Sequence, residues 1–395
     1  MDTEPGFRAM LAHLRGERAL AVDTESNSLY VYREQVCLIQ ISVPGADYLI
    51  DSLALNDLSD LGPLLADPDV LKVFHGAEYD VSVLHRDFGF TVSSLFDTMW
   101  ASRILGWPAH GLAALLKAHF GVHLNKKYQR ANWGVRVRPL PAPQLDYARL
   151  DTHYLLQLQE IQSRELSARN RWPQARHRFI KVTRSRGEPK QFDPDGFWRI
   201  SGVRDLDDAG RGVLRELYQF RDKLAQSENR PPFRVISNQA LLGLSEQRPR
   251  NWRGLQQVKG ISQRMAGRYG RDAFYLLQRM AGRYGRGLLA AIRRGEDQPL
   301  GWDERVRPAN GSHRKPNGRP SAACHARFEA LRAWRNAAAQ KRGVEPDIVL
   351  TNNTLWAVAC QNPTCRADLA ENGLLARWQV NEFGDDLLAV IRQTS

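Results

Sequence analysis

Over the first 165 residues the hydrophobic positions fall into short apolar runs separated by longer amphipathic ones. RALAVDTES (18–26), VCLIQIS (36–42), DYLIDS (47–52) and DVLKVFHG (69–76) have strand length, are rich in Val, Ile and Leu, and end in polar or turn residues. LSDLGPLLA (58–66), AEYDVSVLHRDFG (77–89), GLAALLKAHFG (111–121) and PQLDYARLDTHYLLQLQEIQSRELS (143–167) carry the wider apolar spacing of helices. Strands alternating with helices over short connections predict an α/β domain across residues 1–168. The strand pattern then stops. Residues 169–207 read as a basic connector, 208–297 as an all-helical unit, 298–322 as a flexible Pro/Gly/Asn-rich linker, and 323–395 as a second helical unit.

One internal repeat interrupts the first helical unit. QRMAGRYGR occurs at 263–271 and again at 278–286. On a helix advancing about 100° per residue, a 15-residue step leaves the copies roughly 60° out of phase. A tandem duplication inside one helical hairpin fits this better than a repeat architecture, which needs several units.

Charge divides the chain as the hydrophobic pattern does. Residues 1–165 hold 15 basic and 20 acidic residues, a net of −5, whereas the remainder holds 41 and 23, a net of +18. The basic part calls for a polyanionic partner, nucleic acid or a membrane surface. No apolar run approaches the roughly 18–20 residues of a membrane span, and the first residues lack the apolar stretch of a signal peptide. Four cysteines (Cys37, Cys324, Cys360 and Cys365) provide no zinc-binding set. Few cysteines and no export signal imply a reducing, cytoplasmic compartment.

Three acidic sites stand out in the −5 region. Asp23 and Glu25 lie two apart at the end of an apolar strand, so both carboxylates face one way. Asp80 lies just past the strand KVF, in the first turns of a helix. Tyr147 and Asp151 are spaced i, i+4 on a helical segment, which puts phenol and carboxylate on one face. Four clustered carboxylates repel one another unless cations neutralise them. Hard oxygen donors suit Mg²⁺ or Mn²⁺. Two such ions about 3.5–4 Å apart can activate a water and stabilise the leaving oxygen of a phosphodiester. A nearby phenol can orient that water by hydrogen bonding.

The order D-x-E, then D at a helix start, then Y-x-x-x-D resembles the DEDD superfamily of 3′–5′ exonucleases, in its tyrosine-containing branch. AVDTESNSLYVYREQVCLIQIS, KVFHGAEYDVSVLHRDFG, LFDTMWASRILGW and QLDYARLDTHYLL are similar to the bacterial ribonuclease D family over most of residues 18–165. The resemblance implies a ribonuclease H-like fold, a mixed twisted sheet flanked by helices. It implies that Asp23, Glu25, Asp80 and Asp151 bind two divalent metal ions and that Tyr147 positions the attacking water. The expected products are nucleoside 5′-monophosphates released from RNA 3′ ends, with tRNA precursors the expected substrate. Residues 214–262 resemble an HRDC domain, a small helical nucleic-acid-binding module, and 328–359 resemble a second, more divergent copy. Two places depart from the family pattern. The doubled VR-VR at Val135–Arg138 looks like a two-residue insertion, expected as a longer loop before the catalytic helix. The duplicated nonapeptide puts HRDC packing there in doubt.

Lys126, Lys127, Gln129 and Arg130 precede the third motif, where they can contact substrate phosphates or form a solvated helix end. His75 follows a buried strand and is expected to line the cleft, while His85 reads as a structural helix residue. Trp100, Trp107 and Trp133 read as core rather than base-stacking groups, and Asp97 as a buried cap. The favoured function is a metal-dependent exoribonuclease in tRNA 3′ maturation, acting as a monomer on RNA. A DNA exonuclease for repair and a catalytically idle RNA-binding protein are the alternatives. No G-x-x-x-x-G-K-[ST] loop is present, so no ATP-driven helicase activity is expected.

Overall fold

The computed structural model describes residues 1–135, 137–189, 191–258, 272–302 and 321–394. It divides into two compact units. The first comprises Met1–Asn27, Gln35–Pro189 and His313–Ser395, the second Ser28–Glu34 and Lys190–Ser312.

The first unit is built on a mixed five-stranded sheet in the order β3-β2-β1-β4-β5. The strands are β1 (Ala19–Ser26), β2 (Val36–Val43), β3 (Ala46–Ile50), β4 (Leu71–Phe74) and β5 (Leu95–Asp97). β1, β2 and β3 pair antiparallel, while β4 runs parallel to both β1 and β5. A two-residue turn, Pro44–Gly45, joins β2 to β3, and Gly45 takes the positive φ of 83° that such a turn requires. The sheet is covered by α1 (Glu4–Leu14), α2 (Leu61–Ala66), α3 (Glu78–Phe88), α4 (Thr98–Leu105), α5 (Leu112–Phe120), α6 (Ala142–His153), α7 (Leu155–Ala168) and α8 (Trp172–Thr183). Both α3 and α6 pack on β2, and all eight β2 residues are buried. Such two-sided burial explains why β2 reads as a continuous apolar run rather than an alternating one. The expected mixed sheet with flanking helices is therefore present.

The structure differs from the sequence expectation at α1, α4 and β5, which that expectation lacks, at α8, which lies within the stretch read as a basic connector, and over 143–167. β5 was not foreseen, because three residues are too short to establish a period. The helix expected as one piece over 143–167 is two, divided at Tyr154. α6 packs against β1, β2 and β3, whereas α7 packs against α4, β1 and β4, so the two halves share β1 and differ in their other neighbours.

The chain after the linker also belongs to the first unit. Its helices Ala322–Arg342, Pro346–Val349, Asn352–Gln361, Arg366–Ala370 and Arg377–Gln393 enclose a separate core around Leu331, Leu355, Val358 and Leu387. Arg103 on α4 grips Glu345 and Asp347 at 2.5 and 2.9 Å. Arg171 donates to the carbonyls of Ile104 and Arg342 at 2.5 and 2.8 Å. Gly106 and Gly343 meet so closely that a Cβ on Gly106 would lie 1.9 Å from the Gly343 oxygen. Cys324 and Cys360 are joined by a disulfide within this module. The low cysteine count, taken as a sign of a reducing compartment, gave no reason to expect this bond.

The second unit is helical, with helices Asp208–Ser227, Pro232–Val235, Asn238–Gln247, Trp252–Gln257 and Asp272–Glu296 around Leu214, Leu217, Leu241 and Ile292. A buried arginine organises both helical modules in the same way. Arg221 donates to the Ile236 carbonyl and the Asn238 amide oxygen at 3.1 and 2.7 Å, and Arg335 donates to those of Leu350 and Asn352 at 3.2 and 2.7 Å. The identical spacing marks two copies of one helical design. The first QRMAGRYGR copy lies outside the described residues, and the second runs within Asp272–Glu296. Most of the 298–322 linker also lies outside them. Among the described residues no helix is long and apolar enough to cross a membrane.

Candidate active site

β1 places Asp23 and Glu25 on one face of the sheet, and its register with β2 breaks just after Glu25. α6 lies over β1 and β2 and lowers Asp151 onto them. One carboxylate oxygen each from Asp23, Glu25 and Asp151 falls within 4.8 Å of the others. Asp80, in the first turn of α3, is tied to this group through Thr24, whose hydroxyl donates to Asp80 Oδ1 at 2.5 Å. Tyr147 stands one helical turn before Asp151, its ring 6.3 Å from Trp133 and 6.1 Å from Tyr128. The structure thus brings together the residues of all three acidic motifs.

The electrostatics are those of an uncompensated acidic cluster. Burial, together with the charges of Asp80, Asp151 and Glu25, holds the Asp23 carboxyl well above its ordinary range. Burial and the charges of Asp151 and Asp80 push Glu25 up to about 9. Burial raises Asp80 to about 6, against the opposing hydrogen bond from Thr24, and raises Asp151 to about 7. Burial and the neighbouring carboxylates also raise the Tyr147 phenol, which stays protonated and able to donate.

Residues that the sequence reading passed over complete the setting. Gln40 faces Asp23 directly across the β1/β2 ladder. Its side chain is wholly buried, yet neither amide atom has a hydrogen-bond partner among the described residues. A polar residue inside the apolar run VCLIQIS was the available signal. Unpartnered buried amides carry a cost, and this one borders the carboxylates, where a hydrated cation would supply partners. The donor set is all hard oxygen and its charge is unbalanced, so these residues fit a divalent cation.

Asp97 is the buried cap that the sequence suggested. Fully buried, it accepts from the backbone of Gly76, Ala77, Met99 and Trp100 at 2.8–3.1 Å. These bonds fix the turn that presents α3 and Asp80. Tyr79, exposed beside Asp80, meets Ser26 Oγ through its hydroxyl at 2.8 Å.

The remaining candidates are not part of the cluster. His75 meets Thr98 Oγ1 at 2.9 Å, and burial pulls its pKa down to about 4, so at neutral pH it offers no cation to a phosphate. His85 lies on α3 with its Nδ1 buried. Lys127, Gln129 and Arg130 are exposed near Tyr128, with the Lys127 ammonium 5.4 Å from that ring. The Lys126 side chain lies outside the described residues. Trp133 is buried in a small cluster with Cys37, Leu38, Leu140 and Ala148, while Trp100 and Trp107 pack from partly buried positions against the main core of the sheet. Arg136 of the VR-VR stretch lies outside the described residues; of its neighbours, Arg138 pairs with Asp51 at 3.3 Å and Val137 is exposed.

Residues 1–167 match the 3′–5′ exonuclease domain family, and residues 211–278 and 325–391 match the HRDC domain family. The chain is 36% identical over 259 residues to the exosome complex exonuclease RRP6 of Saccharomyces cerevisiae, a stretch covering 62% of this chain and 35% of that protein. It is 35% identical over 255 residues to exosome complex component 10 of Mus musculus, covering 61% and 28%. It thus spans about a third of the length of these curated relatives. Among solved structures, the catalytic core of RRP6 from Trypanosoma brucei is similar with a TM-score of 0.65 at 29% identity, covering 76% of this chain and 80% of that one. Escherichia coli RNase D shares the fold over 100% of this chain and 98% of its own, with a TM-score of 0.64 at 20% identity. Residues 1–167 are therefore a 3′–5′ exonuclease domain of the DEDD type, and the chain joins it to HRDC domains.

Proposed function

We propose that the chain is a metal-dependent 3′–5′ exoribonuclease that releases nucleoside 5′-monophosphates from RNA 3′ ends. The convergence of Asp23, Glu25 and Asp151 within 4.8 Å, with Asp80 linked through Thr24, is the observation that carries this reading. In it, Asp23, Glu25, Asp80 and Asp151 hold two divalent ions, Mg²⁺ or Mn²⁺. Bound there, the ions would supply a water of lowered pKa and positive charge to offset the phosphodiester oxygens. The protonated Tyr147 phenol hydrogen-bonds and orients the attacking water. Asp97 keeps Asp80 in place through the Gly76–Ala77 backbone. Lys127, Gln129 and Arg130 meet substrate phosphates near Tyr128 (with Lys126 in the same segment), and the exposed Tyr79 ring borders the path of the 3′ end.

The domain plan that we propose runs from the nuclease domain (1–168) through a basic connector (169–207), a first HRDC module (208–297) and a linker (298–322) to a second HRDC-like module (323–395). The net +18 after residue 165 supports a role for this part in gripping the body of a folded RNA. Escherichia coli RNase D is an exoribonuclease involved in structured RNA processing, and trimming of tRNA precursors by a cytoplasmic monomer is the finer form of the proposal. Digestion of 5′-labelled RNA with Mg²⁺ should give a ladder shortened one nucleotide at a time from the 3′ end, abolished by EDTA. A matched DNA strand degraded equally fast would move the reading to a general exonuclease, and cleavage that persists in EDTA would remove the metal from it.

A further inference from the structure

The two helical modules share one internal design but not one surface. Aligned on Arg221 and Arg335, the positions of Tyr218, Asp222 and Phe233 in the first module are taken by Arg332, Asn336 and Asp347 in the second. In the second module this face is spent on the nuclease domain, since Asp347 and its neighbour Glu345 are held by Arg103. In the first module the same face is aromatic and borders a cavity of about 270 Å³. That is just below the roughly 300–1,000 Å³ of sites for drug-sized ligands, so it suits a smaller, flat one.

Phe192 and Tyr218 stack with ring centroids 5.6 Å apart, and Phe192 and Phe233 are 39% and 53% exposed. Large aromatics at such exposure leave apolar faces in water that a planar ligand can cover. The polar lining is balanced in charge. Asp193 pairs with Arg199 at 2.7 Å, and Asp222 accepts from the Tyr32 hydroxyl at 2.8 Å. Asn238 is oriented by Arg221, which occupies its oxygen and leaves its NH₂ as a donor. Two carboxylates in the lining oppose an anion. Aromatic faces edged by both donors and acceptors suit a neutral heterocycle. The surrounding unit is basic, with 24 basic and 15 acidic residues over Ser28–Glu34 and Lys190–Ser312, so a polyanionic backbone is attracted to its surface.

We propose that this cavity of the first HRDC module receives one unpaired nucleobase of an RNA, stacked on Phe192, Tyr218 and Phe233 while the phosphates remain outside. The site sets where along its length the RNA is held. The inference rests on the chain acting on RNA, and its test reads binding without cleavage, so the two readings fail separately.

The test titrates the full chain, in EDTA, into oligoribonucleotides carrying 2-aminopurine at successive positions. One position should be strongly quenched by stacking. Phe192→Ala with Phe233→Ala should abolish that quench and weaken binding roughly five- to hundredfold, the loss of about one base stack. Phe233→Trp alone should retain both. Both rings are partly exposed, so an unchanged melting curve will show that the variants fold. Hydrolysis of a p-nitrophenyl ester of a nucleoside 5′-phosphate should be unchanged in them, because the carboxylate cluster is untouched. Unchanged affinity and quench in the double variant would overturn the proposal. A free 2-aminopurine ribonucleotide quenched at the same protein concentration would overturn it as well, by making the cavity a mononucleotide site.

Discussion

Replacing a proposed metal ligand should stabilise the metal-free chain. Asp151 is the clearest case, because burial lifts its carboxyl to about 7. A carboxyl whose folded pKa is raised binds more protons in the folded than in the unfolded state. Its presence therefore lowers stability as pH rises from the unfolded value near 4 through the folded value near 7. The shift of about three units corresponds to about 4 kcal/mol at 1.36 kcal/mol per unit. Asp151 shares its strain with Asp23 and Glu25, which stay in the variant, so Asp151→Asn should recover only part, on the order of 1–2 kcal/mol. For a unit of this size that is a rise of about 3–6 °C. Calorimetry in EDTA at pH 8 and pH 5 reads it directly. At pH 8 the variant should melt above the wild type. At pH 5 the folded wild-type carboxyl already holds its proton while the unfolded one does not, so the gap should narrow to about a third, closing only below about pH 4. Mg²⁺ should then stabilise the wild type more than the variant. A variant that melts below the wild type at pH 8, or an equal gap at both pH values, would refute the account of an uncompensated cluster.

Tyr147→Phe should lower kcat on the order of 100-fold, a typical cost of one aligned donor, while Mn²⁺ affinity stays unchanged in a direct titration. Gly106→Ala forces a Cβ to 1.9 Å from the Gly343 oxygen at a φ of 73°, so it should loosen the second helical module from the nuclease domain by more than about 2 kcal/mol. Limited proteolysis should then cut between the two, and an unaltered digestion pattern would contradict that contact. Reducing Cys324–Cys360, which are 36 residues apart, should destabilise the second module by about 3–4 kcal/mol on the chain-entropy account, seen as an earlier melting transition in reductant.

The sequence showed most clearly what depends on local pattern. β1, β2 and β4 are apolar runs, and the D-x-E and Y-x-x-x-D spacings follow from strand and helix periods alone, which is why their carboxylates meet in space. What it hid depends on tertiary partners. β5 is only three residues long, and the break at Tyr154 separates α6, packed on β2 and β3, from α7, packed on α4 and β4, with β1 common to both. Thr24 points away from Asp23 and Glu25 in the strand alternation, so nothing local connects it to Asp80. Gln40 became informative only when the β1/β2 register set it opposite Asp23. The Cys324–Cys360 bond joins two helices whose approach no pattern along the chain records.

The central claim is that four carboxylates gather divalent metal for cleavage at an RNA 3′ end. Its most direct test is a Mn²⁺ titration at pH 8, followed by electron paramagnetic resonance, with RNA cleavage measured in the same samples. The account predicts two Mn²⁺ bound per wild-type chain, cleavage rising in step with occupancy, and loss of both in Asp151→Asn. An Asp151→Asn chain that binds Mn²⁺ and shortens RNA like the wild type would contradict it.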